Sequence, residues 1–169
     1  MMSIMLPRAA VSANRIDEVL NEKSSIRDPE NPERLEEHKG VVSFNHVSFR
    51  YPNADADVLS DIDFVAKPGE TTAIVGSTGC GKSTLINLIP RLYDATQGSV
   101  LVDGHDVKNI TMEDLRSEIG YVPQKGVLFS GTIASNLRYG KDDATDAQIE
   151  EAASIAQATE FIDSKSAKY

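Results

Sequence analysis

The amino-acid sequence predicts an α/β fold organised around a phosphate-binding loop. Residues 76–84 read GSTGCGKST and fit the pattern G-x-x-x-x-G-K-[ST], in which a glycine-rich backbone surrounds phosphate groups. A short apolar segment, residues 71–75, precedes this loop. Apolar residues follow it at helical spacing, at Leu85, Leu88 and Leu92. Strand, glycine-rich loop and helix in this order form the structural context that the pattern requires.

The residue types in the loop explain how it would bind phosphate. Glycine lets the backbone turn tightly and approach a ligand closely, and successive N–H groups then form an anion-binding nest at the start of a helix. The ammonium group of Lys82 would contact the β- and γ-phosphates, and the hydroxyl of Ser83 would bind Mg²⁺. The alternative, a glycine-rich turn that merely contains lysine, leaves the flanking strand and helix unexplained. The residues predicted to hold the phosphates are Gly76, Ser77, Thr78, Gly79, Cys80, Gly81, Lys82, Ser83 and Thr84.

Composition places the chain among ordinary globular proteins. Its 169 residues are 40% hydrophobic and 25% charged, which suits a single domain with a core. The net charge of −9 argues against a nucleic-acid-binding surface, which would be basic. A single cysteine excludes an intramolecular disulfide and fits a reducing compartment. No run approaches the ~20 apolar residues that span a bilayer, and no signal peptide is recognisable.

A helix and a linker are predicted for the first forty residues. Ala13, Ile16 and Leu20 lie on one face of a helix over residues 9–22, which is typical of an amphipathic surface helix. Residues 23–40 are rich in charged side chains, contain two prolines and have almost no apolar side chains. This composition predicts a solvated linker.

The next residues show the alternation of β-strands. Polar and apolar side chains alternate in residues 42–44 and 47–51, and residues 62–65 are predicted to be a further strand. Pro52 ends the second of these runs, and the Lys-Pro-Gly turn at residues 67–69 ends the third. The segment before the phosphate loop is predicted to be a further strand.

Local signals define the elements that follow the phosphate loop. Pro90 lies in the third turn of the helix and is predicted to kink or end it. Residues 99–103 read as a strand, and Asp103-Gly104 is a strong hairpin signal. Thr111 can cap a short helix.

The last third of the chain is predicted to be mainly helical. Residues 119–122 form one more short strand, and residues 131–138 are a candidate helix. Thr145 and Gln148 have the spacing of a capping box at the start of another helix. Residues 164–169 are polar and carry no stop signal.

Together these motifs resemble the ATP-binding domain of an ABC transporter of the exporter type. Residues 49–52, FRYP, are similar to the A-loop, whose aromatic ring stacks on adenine. Residues 121–124, YVPQ, are similar to the Q-loop, whose glutamine reaches the Mg²⁺ and γ-phosphate region. Residues 128–140 resemble the entry to the helical subdomain of exporters, and residues 1–22 resemble the cytoplasmic end of the last transmembrane helix.

The resemblance implies a fold and a division of the chain. Residues 1–22 would be the end of the last transmembrane helix or its cytoplasmic extension, residues 23–40 a charged linker, and residues 41–169 the N-terminal portion of the ATP-binding domain. That portion would combine a P-loop NTPase core of parallel strands with an antiparallel β subdomain and the start of a helical subdomain.

The resemblance also implies a function, cofactors and partners. The chain would bind ATP and Mg²⁺ in a membrane exporter, with Tyr51 stacked on adenine and with Ser83 and Gln124 at the metal. Two such domains, identical or different, dimerise head to tail in this family, and their closure drives the transmembrane domains. The expected partners are therefore ATP, a second ATP-binding domain and the transmembrane domains, at the cytoplasmic face of the cell membrane, without nucleic acid.

Departures from the family pattern limit what the chain would do alone. The sequence contains no Leu-Ser-Gly-Gly-Gln signature and no histidine after Gln124. Residues 100–103, VLVD, mimic a Walker B strand, but they follow Lys82 too closely, and Gly104 stands where the catalytic glutamate would be. The hairpin interpretation of Asp103 is therefore favoured. We expect an N-terminal portion of the domain that stops before Walker B, carries no catalytic residue and is inactive by itself.

Three other functions stay open at this point. A GTPase should carry an Asn-Lys-x-Asp motif, which is absent, and a small-molecule kinase should carry a recognisable acceptor site. A non-catalytic nucleotide-binding or interaction module would be distinguished by an ATPase assay. An ABC-type ATPase of DNA repair or translation is disfavoured by the exporter-like N-terminal segment and the acidic charge.

Several single residues have plainer interpretations beside the functional ones. Tyr51 could be an edge-strand aromatic residue and Gln124 an ordinary loop residue, although their order around the phosphate loop favours the nucleotide roles. Cys80 occupies a variable position of the loop, so we predict no chemical role for it. The three histidines lack the spacing of metal ligands and are interpreted as surface or strand residues.

Overall fold

The computed structural model describes residues 2–35, 38–165 and 169, with the backbone alone for residues 2–9. Two compact units are present, Met1–Gly120 and Tyr121–Tyr169. The helices and strands of the first unit are α1 (Met2–Asn21), β1 (Val42–Phe49), β2 (Leu59–Ala66), α2 (Lys82–Leu88), β3 (Gln97–Val102), β4 (His105–Asp106) and α3 (Met112–Ser117). Those of the second unit are α4 (Ile133–Arg138), α5 (Asp146–Ile155) and α6 (Thr159–Asp163).

Helix α1 confirms the predicted N-terminal helix but begins earlier than the periodicity indicated. From residue 10 onward its side chains face solvent, and Val19 and Leu20 are 75% and 77% exposed. Among the described residues, no helix combines the length and the apolar character that crossing a bilayer requires. The assignment of residues 1–22 to the end of a transmembrane helix stays a prediction.

The four strands form one antiparallel sheet in the order β2–β1–β3–β4. Phe44 of β1 pairs with Phe64 of β2 on one side and with Val100 of β3 on the other. The rings of Phe44 and Phe64 stack with centroids 4.8 Å apart. Cross-strand aromatic pairs of this kind add to the stability of a sheet and help to fix its register.

A bulge joins the two runs that the sequence predicted as separate stretches of strand. Asn45 and His46 interrupt the pairing of β1 with β2, and His46 has a φ of 49°. Strict alternation would place Phe44 and Val47 on opposite faces, yet both are fully buried. The extra residue in the bulge shifts the alternation by one position, so both side chains reach the same core.

The core of the first unit contains side chains from the sheet, from α2 and from α3. Burying each of these side chains stabilises the fold by about 1.5–3 kcal/mol. The buried apolar cluster consists of Phe44, Val47, Phe49, Leu59, Leu85, Leu88, Val100, Val102, Val107, Ile110 and Leu115. Because Leu85 and Leu88 belong to this cluster, the helix after the phosphate loop is anchored in the core.

Helix α2 ends at Leu88, just before Pro90, as predicted. Arg91 then adopts a left-handed conformation with a φ of 53°, is 5% exposed, and pairs its Nε with Asp94 Oδ1 at 2.8 Å. The guanidinium of Arg116 donates to the carbonyl oxygens of Pro90 at 3.0 Å and Arg91 at 3.2 Å. These bonds give partners to backbone carbonyls of the turn that follows the helix.

The Asp103-Gly104 turn connects β3 to β4 and confirms the predicted hairpin. Both residues have positive φ, 50° and 86°, as this kind of tight turn requires. The Asp103 carboxylate accepts hydrogen bonds from the backbone N–H groups of Lys39 at 3.0 Å, Gly40 at 3.2 Å and Val41 at 2.7 Å. Asp103 is thus a structural residue that fastens the end of the linker to the hairpin.

The described part of the linker lacks helix and strand, as predicted. It is nevertheless held by hydrogen bonds to other residues of the first unit. The Glu33 carboxylate bonds to His105 Nδ1 at 2.8 Å and to Asn109 Nδ2 at 2.9 Å. The hydrogen bond with His105, followed by that with Asn109, lowers the pKa of Glu33. Asp28 accepts a hydrogen bond from the N–H of Met112 at 2.7 Å. Composition alone did not reveal this docking.

We expect Asp103→Asn to lower the free energy of unfolding at pH 7. Burial acts to raise the pKa of Asp103, but the N–H groups of Val41, Gly40 and Lys39 outweigh it and hold the pKa below its usual value of 3.8. Asparagine tolerates the positive φ. However, it replaces one carboxylate oxygen with an NH₂ group, which cannot accept hydrogen bonds from the backbone N–H groups. Hydrogen bonds to a charged group are each worth about 1.5–3 kcal/mol, so urea unfolding should show a loss of that order.

The same variant has a defined pH dependence. Because the folded pKa of Asp103 is depressed, its stabilising contribution is present above the unfolded pKa and is lost as the pH falls through the folded pKa. The difference between wild type and Asp103→Asn should therefore shrink below about pH 4. Asp55→Asn, at an exposed position in the turn after β1, is the matched control. Equal unfolding midpoints for wild type and Asp103→Asn at pH 7 would contradict the prediction.

Two predicted strands are not strands in the structure. Residues 71–75 and 119–122 have no ladder partner within the described part of the chain. Val75 and Val122 are accordingly 92% and 93% exposed. The predictions of strands at these two segments were wrong, because a strand forms only where another strand pairs with its backbone hydrogen-bonding groups.

The second unit confirms the candidate helix at residues 131–138 and the helix that the capping signal at Thr145 predicted. Thr132 and Ser135 form a capping box at the start of α4. Thr145 accepts from the N–H of Gln148 at the start of α5, and the Gln148 side chain accepts from the N–H of Thr145 at 3.0 Å. Helix α6 was not predicted. Its Ile162 is only 2% exposed, and burial of this side chain anchors the helix.

Candidate functional site

The phosphate-binding loop connects the unpaired segment 71–75 to helix α2 in the first unit. Gly79 and Gly81 have φ values of 85° and 92°, in the left-handed region that is costly for residues with a Cβ. A Cβ on Gly81 would also lie 2.9 Å from Cδ2 of Leu59 and 3.2 Å from the carbonyl oxygen of Val58. The loop conformation therefore requires glycine at position 81 on two grounds, backbone strain and contact with β2.

The ammonium group of Lys82 lies against the loop that precedes it. Its Nζ donates to the carbonyl oxygens of Gly76 at 2.8 Å and Ser77 at 2.7 Å, and lies 3.6 Å from the sulfur of Cys80. An ammonium group has three donors, so each has an acceptor here. Sulfur is a weak acceptor, so a phosphate oxygen would replace the Cys80 contact first.

Backbone donors at the start of α2 complete the phosphate-binding features. Gly81 is the N-cap and has no side chain to accept from them. The first helical bond runs from the N–H of Leu85 to the carbonyl of Gly81 at 2.9 Å, which leaves the N–H groups of Lys82, Ser83 and Thr84 without intrahelical acceptors. An anion can accept from such groups. The exposed Ser83 hydroxyl lies in the same turn, so the donor set fits a phosphate with a bound cation.

Tyr51 lies beside the end of this loop, and its stacking on adenine stays a prediction. Its hydroxyl is 2.9 Å from Oγ1 of Thr84, and its ring makes edge contacts with Phe49 at 4.9 Å and Tyr93 at 5.3 Å. The Thr84 hydroxyl is thus directed at Tyr51, so Thr84 would contact phosphate through its backbone N–H. Tyr93 was missed by the sequence analysis, since nothing in its own neighbourhood marks it as a partner of Tyr51.

Gln124 lies in the second unit, in an exposed stretch without helix or strand. Its role at the metal therefore stays a prediction.

The histidines pair with carboxylates rather than with one another. Nδ1 of His46 is 2.7 Å from Asp61 Oδ1, and Nδ1 of His38 is 3.1 Å from Glu118 Oε2. The hydrogen bond with Asp61, then the charges of Asp61 and Asp63, raise the pKa of His46. These contacts give the histidines structural partners in the bulge and beside α3.

Comparison with known proteins assigns this chain to a family. A family model described as ABC transporter matches residues 59–169, from the start of β2 through the phosphate loop to the last residue. The chain belongs to the ABC transporter family. Membership implies ATP binding, and the nucleotide-binding domains of ABC exporters dimerise and work with transmembrane domains.

Relatives of this ABC transporter chain have similar names. An uncharacterized ABC transporter ATP-binding protein of Mycobacterium tuberculosis is 51% identical over 162 residues, which cover 94% of this chain and 28% of the relative. A putative multidrug export ATP-binding/permease protein of Staphylococcus aureus is 43% identical over 145 residues, covering 86% of this chain and 25% of the relative. The chain spans only about a quarter of the length of these relatives.

A solved structure supports the same assignment for the fold. A bacterial Atm1-family ABC exporter with ATP bound superposes with a TM-score of 0.88 and 33% identity, covering 96% of this chain and 28% of that one. The mixed α/β architecture with an antiparallel sheet is therefore part of the ABC ATPase P-loop fold. This ABC transporter chain is homologous to the nucleotide-binding domains of exporters.

We expect MgATP to slow the labelling of Cys80 by a maleimide, and a bulky adduct to block ATP binding. Cys80 is exposed and its sulfur lies 3.6 Å from Nζ of Lys82, where a bound phosphate would compete for the ammonium group. The chain has no other cysteine, so mass spectrometry of the labelled chain reports one site. Lys82→Ala should show little protection at the same ATP concentration. Equal labelling rates with and without saturating ATP would show that the side chain points away from the ligand.

Proposed function

We propose that this chain binds MgATP as part of the nucleotide-binding domain of an ATP-driven membrane exporter. The observation that carries the proposal is the Lys82 ammonium group, bonded at 2.8 and 2.7 Å to the carbonyls of Gly76 and Ser77. A positive charge is thereby held beside backbone donors in a loop of the phosphate-binding pattern. Charge-assisted bonds to phosphate are about twice as strong as neutral ones, so this loop supplies the main affinity.

The proposal assigns roles residue by residue. Tyr51 stacks on the adenine, while Ser83 and Gln124 supply oxygen ligands of the kind that Mg²⁺ prefers. The bound metal would offset the negative charge of the phosphates. The residues proposed to surround the phosphates are Gly76, Ser77, Thr78, Gly79, Cys80, Gly81, Lys82, Ser83 and Thr84.

The proposal extends to the complete exporter. A second ATP-binding domain, identical or different, would close the nucleotide site, and transmembrane domains would use that closure for transport. The site would then face the cytoplasm at the membrane. The names of the relatives, among them a multidrug export ATP-binding/permease protein and an Atm1-family exporter, support this extension.

Nucleotide binding by the 169-residue chain tests the proposal. We expect a fluorescent ATP analogue to bind in the presence of Mg²⁺, and unlabelled ATP and GTP to displace it with affinities within about tenfold of each other. Stacking on an aromatic ring is worth about 1–3 kcal/mol and tolerates any base. Tyr51→Ala should weaken both nucleotides.

Two outcomes of this titration would contradict different parts of the proposal. Failure of the folded chain to bind either nucleotide would refute ATP binding by this chain. A hundredfold preference for one base would refute simple stacking on Tyr51 and require groups that hydrogen-bond to the base edge. Folding of the chain is checked beforehand by a cooperative urea transition.

A further inference from the structure

One hydrogen bond connects the turn after β1 to the phosphate-binding loop. The hydroxyl oxygen of Tyr51, two residues beyond the end of β1, lies 2.9 Å from Oγ1 of Thr84 in the first turn of α2. Both residues belong to the first unit. Thr84 is only 7% exposed, and a buried hydroxyl without a partner would be costly. This bond is therefore a stable part of the fold.

Two further contacts restrict the ring of Tyr51. The ring is nearly perpendicular to Phe49, at 83° with centroids 4.9 Å apart, and to Tyr93, at 88° with centroids 5.3 Å apart. Edge-to-face contacts of this kind are favourable and directional. Phe49 is buried, while Tyr51 is half-buried and keeps an accessible surface. Because the ring is fixed at its sides and its hydroxyl end, its plane has one preferred orientation.

Helix α2 gives the hydroxyl of Thr84 a fixed position. Leu85 and Leu88 anchor the helix in the core, and Thr84 is β-branched, which restricts its χ1 angle. Its hydroxyl could instead bond back to the preceding turn of the helix, as threonine hydroxyls often do. In the structure it contacts the phenol of Tyr51. The phosphate-binding element thus determines where the aromatic ring points.

We propose that Thr84 is a positioning residue for the nucleotide base: its side-chain hydroxyl orients Tyr51 and thereby couples the base-binding ring to the phosphate-binding loop. This inference rests on the proposed function, since it assumes that Tyr51 stacks on the base. A ring held in the stacking orientation before binding loses less conformational freedom when the nucleotide arrives. The hydroxyl of Thr84 therefore contributes to affinity through the base, in addition to the contact of Thr84 with the phosphates.

The test compares a ligand that has a base with one that does not. Displacement of a fluorescent ATP analogue is measured with MgATP and with magnesium tripolyphosphate. Thr84→Val and Tyr51→Phe each remove one partner of the bond, and each should weaken ATP by about threefold to tenfold, the size expected for one hydrogen bond. Tyr51→Phe should leave tripolyphosphate affinity unchanged, and Thr84→Val should weaken ATP more than tripolyphosphate. Thr84→Ser, which keeps the hydroxyl, should restore ATP affinity.

The double variant makes the test specific to the pair. If the two hydroxyls act through their mutual bond, Thr84→Val combined with Tyr51→Phe should weaken ATP no more than either single change. Tyr139→Phe and Thr71→Val are matched controls that remove a phenol and a threonine hydroxyl elsewhere and should leave ATP affinity unchanged. Urea unfolding midpoints establish that each variant is folded at the assay temperature.

The possible results distinguish a failure of this inference from a failure of the proposed function. Equal weakening of ATP and tripolyphosphate by Thr84→Val would overturn the inference, because the hydroxyl would then act on the phosphates alone. Additive effects, or wild-type ATP affinity in both single variants, would overturn it as well. If wild-type chain binds neither ligand, the proposed function fails together with the inference. If it binds both and the variants do not discriminate, the inference fails alone.

Discussion

The 169-residue chain assayed by itself should hydrolyse ATP at least about a hundredfold more slowly than a complete domain of its family. Hydrolysis needs a water molecule that is oriented and activated while Mg²⁺ and donors stabilise the transferred phosphoryl group. The phosphate-binding loop supplies donors around Lys82 and the hydroxyl of Ser83. Loss of general-base assistance alone typically costs about 10²–10⁴-fold in rate.

The first unit shows why Asp103 does not substitute for the missing base. Its carboxylate accepts three backbone hydrogen bonds, from Lys39, Gly40 and Val41, and occupies a hairpin turn. Those bonds lower its pKa and leave it a poor proton acceptor. The 169 residues contain neither a Leu-Ser-Gly-Gly-Gln signature nor a histidine after Gln124, so the other groups expected from the family are also missing from the assayed polypeptide.

Phosphate release by purified chain is the decisive measurement. Lys82→Ala serves as the control for contaminating ATPases, because activity that survives this change does not come from the phosphate-binding loop. Turnover on the order of one per second that disappears in Lys82→Ala would contradict the prediction. Asp103→Asn would then be the first variant to examine for loss of activity.

Lys82→Ala should weaken MgATP binding by about tenfold or more. The change removes an ammonium group that the carbonyls of Gly76 and Ser77 hold in place, and with it the charge-assisted bonds to phosphate. Each such bond is worth about 1.5–3 kcal/mol, which corresponds to tenfold or more in the dissociation constant. Titration with a fluorescent ATP analogue, followed by displacement with ATP, measures the effect.

Two further variants distinguish a specific contact from a general effect of charge. Lys67→Ala removes the same charge from the exposed turn after β2 and should leave the affinity nearly unchanged. This control matters because the chain carries a net charge of −9, which repels nucleotides at low salt. Lys82→Arg keeps the charge in a planar group that fits the two carbonyls poorly, so partial loss is expected. Equal affinities for wild type and Lys82→Ala would exclude this loop as the phosphate site.

Features that depend on neighbouring residues were determined by the sequence alone. The caps at Thr111 and Thr145, the stop at Pro90 and the hairpin turn at Asp103 all appeared where local signals placed them. Each depends on bonds or backbone preferences within about four residues, so no distant partner could overrule it. The phosphate-binding loop is also local, because Lys82 bonds to the carbonyls of Gly76 and Ser77 within the same loop.

Only the tertiary structure decided the features that join distant parts of the chain. The bulge at His46, the contact of Glu33 with His105, and the bond between Tyr51 and Thr84 all link residues far apart in sequence. Their partners depend on how the sheet and helices pack, which propensity and periodicity do not encode. The same reason explains the failed strand predictions. Residues 71–75 have the composition of a strand, but a strand also needs a second segment that pairs with it. The composition of one segment does not show whether such a partner is present.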